Sequence, residues 1–293
     1  MMISNIKITV LFPISQSIPY SSAKLKESFA TILNQSVPAD DIVLLDHNDD
    51  ASVAEELKTL GGEKGLACQI VRQSEGFLEN LSLVLDKITT PYFLFLQTEA
   101  APVFLRQSAL EQFRWSAMRN PGAGLFYSDY ELTSPDGERK EVHLLSFHEG
   151  RVRDNMDFGR VFLVRNAALK SAGRISTKYK HGYLYDLRLK IASQADLVLI
   201  SNRYAGSPYA VEETGKEHNV FDYLLSGKDI QLEMEQVFTD HLKSVNAYLP
   251  PGEYQTIATY AAEEERKFRD CIATVIIPVN RRPDFIGTAI DSV

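Results

Sequence analysis

Short unbroken apolar runs alternate along this chain with longer stretches in which apolar residues recur every third or fourth position. The runs Lys7–Pro13, Asp41–Asp46, Gln69–Arg72 and Tyr92–Leu96 are too short for helices and rich in β-branched or aromatic residues. They predict strands buried on both faces of a sheet. Between them, Ser21–Leu33, Ser52–Leu60 and Glu79–Ile88 carry helical spacing, with Leu25, Phe29, Ile32 and Leu33 on one face of the first and Gly61-Gly62 reading as the stop of the second. Such alternation predicts an α/β domain with a mostly parallel sheet flanked by helices. Its centre is Tyr92–Leu96, because the polar Gln97-Thr98-Glu99 that follows falls just outside the carboxyl end of a strand, where open α/β sheets place ligands.

Further on, the pattern predicts a helix over Ser108–Arg119, a strand over Leu125–Tyr130, a turn at Pro135-Asp136-Gly137 and a strand over Phe158–Val164. Helices over Asn166–Ala172 and Tyr185–Ala192, a final edge strand over Leu197–Ile200 and an amphipathic helix within Phe221–Tyr248 complete the unit. Pro250-Pro251-Gly252 breaks the pattern, and the charged Glu263–Arg269 reads as linker. Thr274–Pro278 (TVIIP) then repeats Thr9–Pro13 (TVLFP), and Ala289–Val293 resembles Ser28–Ile32. A repeat at that interval predicts a domain over 1–250, a linker over 251–271 and the truncated start of a second copy over 272–293.

Composition narrows the function. A net charge of −8 is the opposite of a phosphate-tracking surface, so no nucleic-acid partner is expected. No stretch is long and apolar enough for a transmembrane segment, and the first ten residues lack a signal-peptide pattern, which together predict a cytoplasmic location. Cys68 and Cys271 stand far apart without metal spacing and read as buried free thiols. His143, His148, His181 and His218 share no ligand spacing either. Arg151, Arg153, Arg160 and Arg165 cluster locally and read as a solvated face rather than an anion site, and Tyr204 and Tyr209 read as loop tyrosines.

Taken in order, strand-Pro13, the turn Leu33-Asn34-Gln35-Ser36-Val37-Pro38, Ile42–Asp46, Gly76, Tyr92–Leu96, Tyr127-Ser128-Asp129 and Asp186-Leu187-Arg188-Leu189 resemble family 2 glycosyltransferases, which adopt the GT-A fold. The tail VIIPVNRRPDFIGTAIDSV is similar to that family's opening. The resemblance implies transfer of a sugar from a UDP- or other nucleoside diphosphate-sugar to a glycan or other acceptor. It also implies a second GT-A domain of the same protein as partner.

Carried over position by position, the resemblance assigns Pro13, Asp46, Gln97 and Glu99 to the donor, Glu99 to a metal, Asp129 to the acceptor and Asp186 to catalysis. It also marks departures. The family's Asp-x-Asp, which holds Mg²⁺ or Mn²⁺ against the diphosphate, reads Gln97-Thr98-Glu99-Ala100, so metal binding is expected to be weak. The family's base position is lost in Tyr183-Leu184-Tyr185-Asp186, where only the later aspartate survives, and Leu81-Ser82 replaces Arg-Asn. A positioned base contributes roughly 10²–10⁴-fold in rate. The expectation is a weakly active or inactive transferase domain, with a non-catalytic glycan-binding or scaffolding domain as the alternative.

Overall fold

The computed structural model describes residues 5–14, 20–48, 50–72, 76–99, 101–173, 175–201, 206–213, 227–249, 287 and 290. The chain divides into two compact units, 1–247 and 248–293. The linker, the second start and Cys271 lie outside the described residues, as do Ala100, Tyr204 and residues 221–226 of the last expected helix.

The first half alternates strand and helix: β1 Ile8–Ile14, α1 Ser22–Leu33, β2 Asp41–Asp46, α2 Ser52–Glu63, β3 Cys68–Val71, α3 Phe77–Lys87 and β4 Tyr92–Leu96. After β4 come β5 Val103–Leu105, α4 Ala109–Arg119, β6 Leu125–Ser128, β7 Tyr130–Thr133, β8 Arg139–Val142, β9 Val161–Arg165, α5 Asn166–Ala172, α6 Tyr183–Ala192, β10 Leu197–Ile200, β11 Tyr209–Glu212 and α7 Lys228–Ser244. Seven strands form one sheet in the order β10-β6-β9-β4-β1-β2-β3, and β5-β11-β7-β8 form a smaller one. In the large sheet only β9 runs antiparallel to its neighbours, β4 and β6. The sheet is mostly parallel and flanked by helices.

Every residue of β1 and β4 is buried, which is what their unbroken apolar runs require. Register decides which helices cover which face. Phe95 stands beside Leu11, so Phe12 points to the opposite face, where its ring meets Phe29 of α1 edge-on at 5.3 Å. On the Phe95 face, α3 and α6 stand over β4 and β9 and enclose a cavity with them. Ser21 caps α1 by accepting the Lys24 N–H at 3.4 Å.

Several sequence expectations change. The helix α2 runs through Gly61-Gly62 and stops at Gly65, whose φ of +72° is the left-handed conformation of a helix end; the Leu66 N–H closes the turn on the Gly61 carbonyl at 3.0 Å. Gly61 is there for another reason: a Cβ at that position would collide with Cys68 Sγ. Cys68 itself is half-buried rather than buried. The expected strand Leu125–Tyr130 is two strands, because at Asp129 the chain leaves the large sheet and enters the small one. Leu197–Ile200 does sit at the sheet edge, but β11 follows it.

Candidate functional site

The carboxyl ends of β1, β2 and β4 lie side by side, with Ile14 beside Asp46 and Leu11 beside Phe95 in the parallel ladders. This brings Pro13, Asp46 and Gln97-Thr98-Glu99 to one rim of the sheet, where residues distant in sequence meet. The loop after β4 is pinned from three directions. Thr98 Oγ1 donates to the Pro13 carbonyl at 2.9 Å, Tyr20 Oη donates to the Thr98 carbonyl at 2.7 Å, and the Gln97 N–H donates to the Arg160 carbonyl at 2.9 Å.

Glu99 is half-buried on that loop, and burial pushes its carboxyl up to about 7. Tyr20 and Tyr183 both stand within reach of its charge. Asp46 is fully buried at the end of β2. Its Oδ1 accepts the Asn48 N–H at 3.1 Å, while Oδ2 has no hydrogen-bond partner and faces Arg72 Nε at 3.8 Å. Burial lowers the His47 pKa, with the Asp46 charge working against it, so the ring is neutral at pH 7. That ring meets Phe77 edge-on at 5.0 Å, and Phe77 meets Tyr183 at 5.8 Å. The rim therefore carries an aromatic row, a buried carboxylate oxygen lacking a donor, and a second carboxyl poised near neutrality. A planar heterocycle with an N–H edge complements the first two features.

The other sequence candidates lie elsewhere. Asp129 is buried and both its oxygens are engaged: Oδ1 accepts the Leu144 N–H at 2.8 Å, and Oδ2 meets Ser201 Oγ at 3.0 Å and His143 Nδ1 at 3.1 Å. It ties together the corner where the chain changes sheets. Asp186 pairs with Lys190 Nζ at 2.6 Å, and its other charged neighbours are Lys178 and Asp240, the latter on α7. Burial raises its carboxyl pKa, with Lys190 opposing. Tyr183 stands near Glu99 instead. Gln97 is half-buried and lines the cavity under α3 and α6. Among the basic cluster, Arg160 lines that cavity, Arg151 and Arg165 donate to backbone carbonyls, and the Arg153 carbonyl accepts from Arg188. Tyr209 is no loop tyrosine; it is fully buried in β11 and stacks on Tyr130 at 5.7 Å.

Sequence reading passed over Phe77 and Tyr20 and met Tyr183 only where the base position is lost, since an aromatic residue at a helix start or in a loop carries no mark that separates a ligand wall from core. The resemblance also implies a divalent metal here. The described residues supply Glu99 alone on the loop after β4, with its proton held more tightly than an ordinary carboxylate holds one. No group of three metal-type ligands occurs among the described residues. By themselves these groups do not fit a resident Mg²⁺ or Mn²⁺.

Searches place this geometry among known folds. No family model matches the chain, and no curated protein matches it. Solved structures do. A mannosyltransferase from Pyrobaculum calidifontis in complex with GDP-Man and Mn²⁺ matches at 15% identity and TM-score 0.53, over 84% of this chain and 66% of that one. The S. aureus TarS fragment 1–349 in complex with UDP matches at 12% identity and TM-score 0.54, over 89% of this chain and 78% of that one. GalNAc-T7 with UDP, GalNAc and Mn²⁺ matches at 14% identity and TM-score 0.53, over 90% of this chain and 54% of that one. The chain has the GT-A fold. It spans just under two thirds of the mannosyltransferase and about half of GalNAc-T7. No helix among the described residues is long and apolar enough to cross a membrane.

Proposed function

We propose that this GT-A unit binds a nucleoside diphosphate-sugar on the rim of β1, β2 and β4, within a family 2-like glycosyltransferase that acts on a glycan or other acceptor. The observation that carries the reading is Asp46 Oδ2, a buried carboxylate oxygen without a hydrogen-bond donor at the carboxyl end of β2. Its ion pair with Arg72 Nε at 3.8 Å is too long for a hydrogen bond, a buried acceptor without one costs about 1–3 kcal/mol, and the imino or amino N–H of a nucleobase lying along the His47–Phe77–Tyr183 row would remove that cost. Asp46 then takes the base, Pro13 shapes the rim, and Gln97 and Glu99 face the diphosphate and sugar.

The unit itself is proposed to be weakly active or inactive, and the positions that do chemistry in the family support this. Glu99 stands alone where two aspartates would hold a metal, so a cation is recruited weakly and only together with the donor's phosphates. Asp186 is engaged by Lys190, and the base position is taken by Tyr183, whose hydroxyl is held protonated by burial. The same features favour the second reading, a non-catalytic glycan-binding or scaffolding unit. In either case residues 1–250 act beside a second GT-A domain that begins near 272, joined through 251–271. The test is a calorimetric titration with UDP and GDP, with and without Mn²⁺. Binding that barely responds to the metal supports the proposal; tight binding that collapses on chelation refutes it.

A further inference from the structure

Beneath the rim, on the face of the large sheet covered by α3 and α6, lies a cavity of about 650 Å³. That volume is ordinary for a small-molecule site, roughly 300–1,000 Å³. Its floor is apolar, built from Phe93 and Phe95 of β4, Phe162 of β9 and Leu85 of α3. One charged side chain is sunk into this wall. Arg188 of α6 is 7% exposed, stacks over Phe158 at 4.1 Å and Tyr185 at 5.0 Å, and donates Nη2 to the Arg153 carbonyl at 2.8 Å. Its Nε has no hydrogen-bond partner. The Asp154 carboxylate acts on it through its charge.

A guanidinium in this position is poorly compensated: burial pulls its pKa down to about 10. Two aromatic faces offset part of the lost hydration, yet the buried Nε–H donor is left without an acceptor. The groups at the mouth set the charge of what can enter. Asp154 and Asp157 are exposed there, and Asp157 is already engaged by Tyr130 Oη and the Gly159 N–H. Glu213 lines the cavity as well, so three carboxylates, opposed by Arg160, disfavour phosphates and other multiply charged anions, whereas the buried Arg188 guanidinium takes a single negative charge.

We propose that this cavity is a binding site for an apolar monocarboxylate, its chain lying along the Phe93, Phe95 and Phe162 floor and its carboxylate accepting the Arg188 Nε–H. The site adjoins the nucleotide rim at Gln97, which lines both, but no step of the donor reading depends on it.

Calorimetric titration of the full chain with decanoate and, as a neutral match, decan-1-ol tests this. Decanoate is expected to bind one to one and about tenfold or more tightly than the alcohol, a gap of about 1.4 kcal/mol. Arg188→Gln is expected to erase that preference while leaving alcohol binding in place. Leu184→Trp, which fills the cavity from α6, is expected to abolish binding of both, with UDP binding unchanged. Equal affinity for acid and alcohol in the unaltered chain overturns the proposal, as does decanoate binding that survives Leu184→Trp. Should Arg188→Gln fail to fold, those two comparisons still decide the matter. Loss of UDP binding alone would count against the rim and not against this cavity.

Discussion

Replacing Glu99 with glutamine removes a titrating proton from the rim at almost no change in shape, and its effect can be worked out in advance. The carboxyl moves from an ordinary 4.5 to about 7 on folding because burial disfavours its charged form. A carboxylate raised in this way costs stability when ionised: between about 4.5 and 7 the folded chain binds the extra proton, so stability falls as pH rises through that window. At about 1.4 kcal/mol per pH unit the full displacement is roughly 3 kcal/mol, and partial solvent access to the side chain reduces it to about 1–2 kcal/mol. Glu99→Gln should therefore match the unaltered chain near pH 4.5 and exceed it by about 1–2 kcal/mol at pH 8. Urea unfolding of both proteins at half-unit pH steps measures the difference. A stability gap that stays constant with pH, or a variant less stable at pH 8, would show that Glu99 is not held in a desolvating position.

Three further outcomes follow from the geometry. Gln97→Asp should increase the gain in nucleotide binding from Mn²⁺ and lower stability by about 1 kcal/mol, because Gln97 is half-buried against the cavity rather than out on a surface loop; titration and thermal unfolding report the two effects separately. Gly61→Ala should lower stability by about 1–3 kcal/mol despite its better helix propensity, and adding Cys68→Ala should restore most of the loss by removing the colliding sulfur. Asp129→Asn should cost about 1.5–3 kcal/mol, since a carboxylate accepting from Leu144, Ser201 and His143 is replaced by an amide that cannot accept from all of them. Nucleotide affinity should not change, which a single titration checks.

Strands such as Tyr92–Leu96 and Asp41–Asp46 were readable to the residue, because an unbroken apolar centre, Ile42–Leu45 in the second, has nowhere to go but a two-faced interior. The small sheet was not. Its strands Val103–Leu105 and Tyr209–Glu212 are only three and four residues long and exist by pairing across more than a hundred positions, which no local pattern records. The break at Asp129 was hidden for a related reason, since a polar Ser128-Asp129 pair between apolar residues also fits the alternating faces of a single strand. At the site, Asp46 and Glu99 were legible from their place after strands. The row of His47, Phe77 and Tyr183 was not, because it is assembled from the end of β2 and the starts of α3 and α6. Arg188 was read only as part of the Asp186-Leu187-Arg188-Leu189 run, because nothing in the local sequence shows that α6 turns it into the apolar wall over β4 and β9.

The central claim, a nucleotide rim with a buried base-recognising carboxylate and a weak metal site, is tested most directly by titrating UDP and GDP into the unaltered chain and Asp46→Asn, each with Mn²⁺ and with chelator. The account predicts binding of at least one nucleotide with a Kd of about 0.1 mM or weaker, a metal effect under about fivefold, and a loss of about tenfold or more in Asp46→Asn. Micromolar binding that vanishes with chelator, or affinity that is indifferent to Asp46, would contradict it.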